Sequence, residues 1–249
     1  MSDREGCEGQ CLEQNEFAIA MAFQPVVDIS SRTIVSYEAL VRGKNGESAG
    51  QVMSALTDET RYGFDQACRV RAIETAAKLG LDRRLNINFM PNAVYHPEAC
   101  LRLTLQCAAA SSFPLDKITF EFTEDERVID RDHLRSIVTT YQRFGFRTAL
   151  DDFGAGYAGL SLLGDFQPDY VKLDRSIIMD IHENKARRAI VAGFMTTARM
   201  LDLTVVAEGV EKAEEVSVLA GLGVTLFQGY YFARPQFEAL VPEEAIVWP

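Results

Sequence analysis

The sequence predicts an α/β fold, a modified (β/α)8 barrel of the TIM type with the first strand antiparallel to the rest, and three observations lead there. The chain has 249 residues, a length that suits one large domain and that a single (β/α) barrel typically takes. Near its start two apolar, strand-like runs, FQPVVDI and IVSYEALVRG, are separated only by SSRT. A link that short joins antiparallel strands, because a parallel pair needs a crossover of about a dozen residues. From residue 50 onward, helical stretches alternate with short apolar strands, the pattern of right-handed βα units. Pattern alone leaves an open doubly wound sheet as the alternative arrangement.

The elements follow in order. Residues 1–17 lack apolar periodicity and are expected to form an N-terminal tail or linker, with residues 18–249 as one domain. The hairpin supplies strands near 23–28 and 34–41. QACRVRAIETAAKLG then precedes the strand LNINF at 85–88, ACLRLTLQCAAA precedes ITFEFT at 118–122, and DHLRSIVTTYQRFG precedes RTALDD at 147–151. A short AGLSLLGDF leads to YVKLD at 170–173, ARRAIVAGFMTTARMLD to TVVAEG at 204–207, and EEVSVLAGLG to TLFQGYYF at 225–228.

Composition narrows the function. With 36 acidic residues against 25 basic ones the formal charge is −11, and no Lys/Arg-rich block offers a footprint for duplex DNA or RNA. There is no run of about 18 apolar residues for membrane insertion, and the polar, acidic start is unlike a secretory signal, so a cytoplasmic location is expected. The five cysteines are scattered without paired CxxC sets, and the three histidines stand alone. A zinc site or a Ser/His/Asp triad is poorly supported.

Polar residues gather at one end of the strands. Glu38 and Arg42 flank the end of the second strand, Asn88 closes LNIN, Glu121 lies in ITFEFTE, and Asp151 and Asp152 close RTALDD. Lys172 and Asp174 lie in YVKLD, Glu208 ends TVVAE, and Gln228 follows TLF. Buried parallel strands are otherwise nearly continuous in apolar residues, and the carboxyl end is where barrel enzymes assemble their sites. A helix N-cap is the ordinary explanation for any one of these acids after a strand. It explains neither Glu38 inside SYEALVR nor Lys172 and Asp174, two apart and so on one side of a strand. Five or six carboxylates at one mouth repel unless some are protonated or cations bind among them. Oxygen ligands with an amide point to Mg²⁺ or Mn²⁺, and adjacent Asp151 and Asp152 suit neighbouring ions acting on a phosphoester. The planar fork of Arg42 suits a phosphate, with a surface salt bridge as its plainer explanation; Lys172 either holds a water or phosphate oxygen or pairs with Asp174.

Taken together, FQP at 23–25, EAL at 38–40 within YEALVR, NINF at 86–89, FEFTE at 120–124, DDFGAGY at 151–157, VKLDRS at 171–176, VVAEGVE at 205–211 and QGYYFARP at 228–235 resemble the EAL-domain cyclic di-GMP phosphodiesterases of bacteria. The resemblance implies a barrel with one antiparallel strand that binds two Mg²⁺ or Mn²⁺ ions and hydrolyses cyclic di-GMP to linear pGpG. It implies metal ligands at Glu38, Asn88, Glu121, Asp151, Asp152 and Glu208. Lys172 resembles the lysine that orients the attacking water, with Gln228 nearby, and Glu124 the glutamate that anchors the loop after DDFG. Gln24, Glu38, Leu40, Arg42, Asp174, Glu211 and Pro235 are implied on the substrate side, Arg42 toward phosphate and Glu211 in support. A homodimer and a regulatory protein partner are further implications. DDFGAGYAGL departs from the common DDFGTGYSSL in losing hydroxyls at Ala155, Ala158 and Gly159, which predicts a looser loop and slower turnover. The segment after VRG departs as well, which predicts a different lid. A receptor that binds cyclic di-GMP without turning it over is the alternative, and a scaffold binding neither nucleotide nor metal fits poorly with so many costly polar groups.

Overall fold

A computed structural model of the chain describes residues 17–123, 130–156 and 159–249. Strands β1 (Ile19–Asp28) and β2 (Thr33–Gly43) form the expected antiparallel hairpin, with Gln24 opposite Glu38 and Ala20 opposite Arg42. After the short helix α1 (Ala49–Met53) comes α2 (Asp58–Lys78), which begins eight residues before the sequence reading placed it. Its acidic first turn, Asp58 and Glu59, and its last-turn Lys78 complement the helix dipole.

The alternation then runs β3 (Arg84–Asn88), α3 (Pro97–Ala110), β4 (Ile118–Thr123), α4 (Arg131–Arg143) and β5 (Arg147–Phe153). It continues through α5 (Gly159–Asp165), β6 (Tyr170–Leu173), α6 (Arg175–Ile178), α7 (Lys185–Met200), β7 (Thr204–Ala207), α8 (Ala213–Gly221) and β8 (Leu226–Phe227). Asp130 and Asn184 open α4 and α7 by accepting hydrogen bonds from the first backbone N–H groups of those helices. From β2 through β8 each strand pairs parallel to the next, and β1 runs antiparallel to both β2 and β8. The sheet therefore closes into an eight-stranded barrel, and the open doubly wound arrangement is excluded.

A strand the sequence did not suggest completes the sheet. β8 pairs with β1 only at Val27 and Asp28, and β9 (Gln236–Phe237) takes the same edge of β1 further along, at Ala22 and Phe23. The chain then returns along the hairpin, where the Tyr37 hydroxyl donates to the Val241 carbonyl at 2.5 Å and the Arg32 guanidinium lies over the Trp248 ring. Phe17, placed at the end of the expected tail, packs edge-on against Phe64 of α2. The rest of that tail lies outside the described residues.

Strand alternation sorts the side chains. In β4, Phe120 and Phe122 face the helices and are fully buried among Phe89, Tyr141, Phe146 and Phe166, while Glu121 between them faces the barrel axis. Arg69 of α2 lies inside this outer core at 0% exposure, paired with Asp65 at 2.7 Å, donating to the Tyr141 hydroxyl and stacked over Phe89 and Phe120. Burying an arginine this way is tolerable because its charge is matched and its faces lie on aromatic rings.

Candidate active site

The barrel axis near the carboxyl ends of the strands is lined by charge. Glu38 comes from β2, Glu121 from β4, Asp151 from β5 and Lys172 from β6, while Glu208 follows β7 and Gln228 follows β8. Lys172 sits at the centre at 1% exposure. Its Nζ lies 2.6 Å from Glu208 Oε1, 2.7 Å from Glu121 Oε2, 3.1 Å from Asp151 Oδ2 and 3.4 Å from Glu38 Oε2. Pairing with Asp174, one of the two alternatives for this lysine, gives way to contact with four carboxylates from four different strands or strand ends.

Amides occupy the outer oxygens of this group. Asn88 Nδ2 donates to Glu38 Oε1 at 2.7 Å, and Asn86 Nδ2 donates to Glu121 Oε1 at 2.8 Å. Asn86 went unremarked in the sequence reading, yet the same period-two rule that turns Asn88 inward turns Asn86 inward too. Gln228 Nε2 donates to Glu38 Oε2 at 2.7 Å and to Gln24 Oε1 at 3.3 Å, and Gln24 Nε2 reaches the Ala233 carbonyl at 3.2 Å. The side-chain amide oxygen of Gln228, Oε1, is buried with no partner among the described residues.

One ammonium cannot neutralise this assembly. Burial raises Glu121 well above the usual carboxylate range, with Glu38 and Asp151 adding to the rise and Lys172 opposing it. Burial likewise raises Glu208, helped by Asp151 beside it. Burial also pushes on Asp151, but Lys172 and hydrogen bonds from Glu208 and the Asp152 N–H outweigh it, so its pKa falls below the ordinary value. Lys172 is disfavoured by burial and held protonated by the four surrounding carboxylates. Without a further cation, the centre keeps protons that a metal ion would displace.

The donor set fits divalent cations. Glu38, Glu121 and Asp151 offer carboxylate oxygens within 4.8 Å of one another, and Asp151, Asp152 and Glu208 form a second such group. Asp151 belongs to both. All these donors are oxygens, the choice of Mg²⁺, Mn²⁺ or Ca²⁺ over softer metals, and the unpartnered Gln228 oxygen adds a further acceptor.

Asp152 reaches its position through unusual backbone. Its φ of 53° is left-handed, and the pairing of β5 with β6 loses register between Leu150 and Phe153. The Asp151 carboxylate accepts from the Asp152 N–H at 2.8 Å, and the turn closes from the Ala155 N–H to the Asp152 carbonyl at 3.0 Å. A non-glycine residue in this region carries strain, which is how two consecutive carboxylates come to face one centre when ideal strand geometry would point them apart. Burial, Asp151 and Asp174 raise Asp152 to about 6.

A sequence model of the EAL domain matches residues 9–235. The chain belongs to the EAL domain family. The crystal structure of a standalone EAL protein from Vibrio cholerae O395, in its c-di-GMP-bound form, is 50% identical, covers 91% of this chain and 95% of its own, and superposes with a TM-score of 0.88. BlrP1 from Klebsiella pneumoniae, in a complex with calcium and cyclic di-GMP, is 37% identical with a TM-score of 0.85, over 90% of this chain and 57% of its own. The blue light- and temperature-regulated antirepressor BluF of Escherichia coli is 31% identical over 229 residues, 92% of this chain. This chain spans 56% of the length of BluF.

The remaining expected positions of the EAL domain divide into two groups. At the mouth, Glu211 pairs with Arg175 at 2.9 Å, and both line a cavity of about 350 Å³ together with Gln24, Glu38, Asp152, Asp174, Glu208 and Gln228. Asp174 corrects the sequence reading. The strand ends at Leu173, and Asp174 is the N-cap of α6, accepting from the Ser176 N–H at 2.8 Å, so capping does explain it. Away from the carboxylates, Arg42 lies four residues beyond Glu38 on the extended hairpin and donates to the neighbouring Val41 carbonyl. Leu40 lines a separate, mostly apolar cavity with Met21, Phe64 and Phe89. Pro235 immediately precedes β9 and makes no described contact with the acidic centre. Glu124 and Ala158 lie outside the described residues.

Proposed function

We propose that this EAL domain hydrolyses one phosphodiester bond of cyclic di-GMP to give linear pGpG, using two Mg²⁺ or Mn²⁺ ions. The observation that carries the reading is the ring of Glu38, Glu121, Asp151 and Glu208 around the buried Lys172, with Asp151 common to two oxygen groups. Support comes from the names of relatives as well: the cyclic di-GMP phosphodiesterase PdeR of Escherichia coli is 38% identical over 125 residues, 50% of this chain and 19% of its own.

In this reading Glu38, Asn88, Glu121 and Asp151 hold one ion, and Asp151, Asp152 and Glu208 hold the other. Bound divalent ions supply Lewis acidity toward the phosphoryl oxygens and make a water acidic enough to attack at neutral pH. Lys172 orients the attacking water from the centre of the ring, and Gln228 fixes Glu38 through its amide N–H, leaving its side-chain oxygen Oε1 available as a further acceptor. Arg42, on the hairpin above Glu38, turns from the Val41 carbonyl to a phosphate oxygen of a substrate lying across the mouth. The water oxygen gives up a proton to solvent and bonds to phosphorus as the P–O3′ bond breaks, and the departing O3′ takes up a proton from solvent, so that one water is consumed and no net proton is gained or lost at the two oxygens. Cytoplasmic location and a homodimer belong to the same reading, with exposed Leu160 and Ile190 as available apolar surface. Among the described residues no helix is long and apolar enough to cross a membrane.

Glu38→Ala or Asp151→Ala is expected to abolish Mg²⁺- or Mn²⁺-dependent formation of pGpG, followed by chromatography of the products. Full turnover in either variant would defeat the assignment. A second reading, a cyclic di-GMP receptor without turnover, is favoured by the likeness to BluF, whose name describes antirepression and not hydrolysis. Binding of cyclic di-GMP with no pGpG after prolonged incubation with either metal would select it.

A further inference from the structure

Glu208 stands at the head of a turn that is gripped from outside the acidic centre. Arg175, the first residue of α6, lays its guanidinium across that turn. Its Nη1 donates to the Gly209 carbonyl, and its Nη2 donates to Glu211 Oε2 at 2.9 Å. The aliphatic stem of Arg175 presses on Gly209 from the same side. A Cβ at residue 209 would lie 3.0 Å from Arg175 Cβ and 3.2 Å from its Cδ, and Gly209 has a left-handed φ of 63°. Glycine thus serves the clamp twice, by leaving room for the arginine stem and by adopting the turn without strain.

Two other anchors hold the far side of this turn. The fully buried Glu215 carboxylate accepts from the Glu211 N–H at 3.0 Å, the Lys212 N–H at 3.2 Å and the Asp180 N–H at 2.9 Å. Val210 is stitched to the next loop, its N–H donating to the Gln228 carbonyl at 3.1 Å and its carbonyl accepting from the Tyr231 N–H at 3.0 Å. These anchors grip Val210, Glu211 and Lys212. Among the described side chains Arg175 alone bonds to the Gly209 carbonyl, one residue after Glu208, whose own N–H donates to the Leu173 carbonyl at 3.1 Å. Among the described residues Arg175 is also the one cation lining the mouth cavity, against Glu38, Asp152, Asp174, Glu208 and Glu211.

We propose that Arg175 is a positioning residue for Glu208: by clamping Gly209 and Glu211 it fixes the Glu208 carboxylate beside Asp151 and Asp152 for a divalent cation. The assignment rests on the metal-hydrolase reading of the centre. Arg175 does not touch the ring around Lys172, and its side chain is about one-third exposed, so its loss is expected to leave the barrel folded.

Titration calorimetry with Mn²⁺ on the full chain, together with steady-state kinetics on cyclic di-GMP and melting in chelator, tests this. Arg175→Ala is expected to weaken Mn²⁺ binding about tenfold or more, the size typical for loss of a partner that orients a ligand. It is also expected to lower kcat with little change in KM and little change in the chelator melting temperature. Arg175→Lys, which keeps one donor, is expected to recover part of the affinity. Glu211→Gln, which weakens the clamp without removing the arginine, is expected to shift Mn²⁺ affinity in the same direction by less. A lowered melting temperature with unchanged Mn²⁺ affinity would make Arg175 merely structural and overturn the proposal. A raised KM with unchanged Mn²⁺ affinity would make it a substrate contact and overturn it as well. Wild-type protein that binds no Mn²⁺ would overturn the cation-site reading itself, whereas equal binding by wild type and Arg175→Ala would overturn only the role of Arg175.

Discussion

Asp152 is the residue whose surroundings yield a pH prediction. Its pKa, raised to about 6 by burial and by Asp151 and Asp174, lies above the value an aspartate has in an unfolded chain, about 3.9. The folded, metal-free protein therefore keeps a proton there that the unfolded chain has lost. That contribution to stability is complete below about pH 4 and disappears as the pH rises through about 6. In chelator, the wild-type melting temperature should fall from pH 4.5 to 7, with a shallower slope in Asp152→Asn, measured by scanning calorimetry. Identical slopes in the two proteins would mean that Asp152 is not held protonated. Mn²⁺ affinity should rise over the same interval, because a cation and a proton compete for one carboxylate.

At the scale of elements, the site depends on how the loops after β7 and β8 meet. Gly229 packs backbone to backbone on Val210, and a Cβ there would lie 2.1 Å from the Val210 carbonyl oxygen. No side-chain rotation relieves such a clash, so the two loops must part. Gly229→Ala is expected to cost about 3 kcal/mol in chemical denaturation. It should also reduce turnover steeply, since Gln228 and Glu208 would both move. A stable and fully active variant would show that these loops are not a rigid pair. The hairpin of β1 and β2 shows the same dependence on elements, because its extension beyond the barrel places Arg42 above Glu38 and not beside it.

For the whole molecule, the centre is a concentration of unbalanced charge that folding must bring together. Three buried carboxylates, a half-buried fourth and a buried lysine meet in one barrel, and burial of each ion costs several kcal/mol before pairing offsets it. A cation that binds only the folded state adds about 2.7 kcal/mol at one hundred times its dissociation constant. Saturating Mn²⁺ is therefore expected to raise the melting temperature by several degrees in differential scanning fluorimetry, and excess chelator to restore the original value. No shift in wild-type protein would argue against cation binding at the mouth.

Much of this was legible from local patterns. Polar residues at the carboxyl ends of otherwise apolar strands singled out Glu38, Asn88, Glu121, Asp151 and Lys172, and the short SSRT link identified the antiparallel pair. Period-two alternation, counted back from Asn88, would have found Asn86. Asp174 was misread because two residues apart means one side only while a strand lasts, and β6 ends at Leu173. Arg175 and Gly209, separated by 34 residues, gave no local signal. The left-handed turn at Asp152 and the strand β9 likewise depend on neighbours far away in the chain. The sequence by itself determined the eight barrel strands, the polar residues at their carboxyl ends and the family, because each is written in short-range patterns and ordered motifs. Tertiary structure alone decided that Lys172 meets four carboxylates, that Asp151 is shared and which acids hold protons, because charge interactions depend on distances set only when the barrel closes.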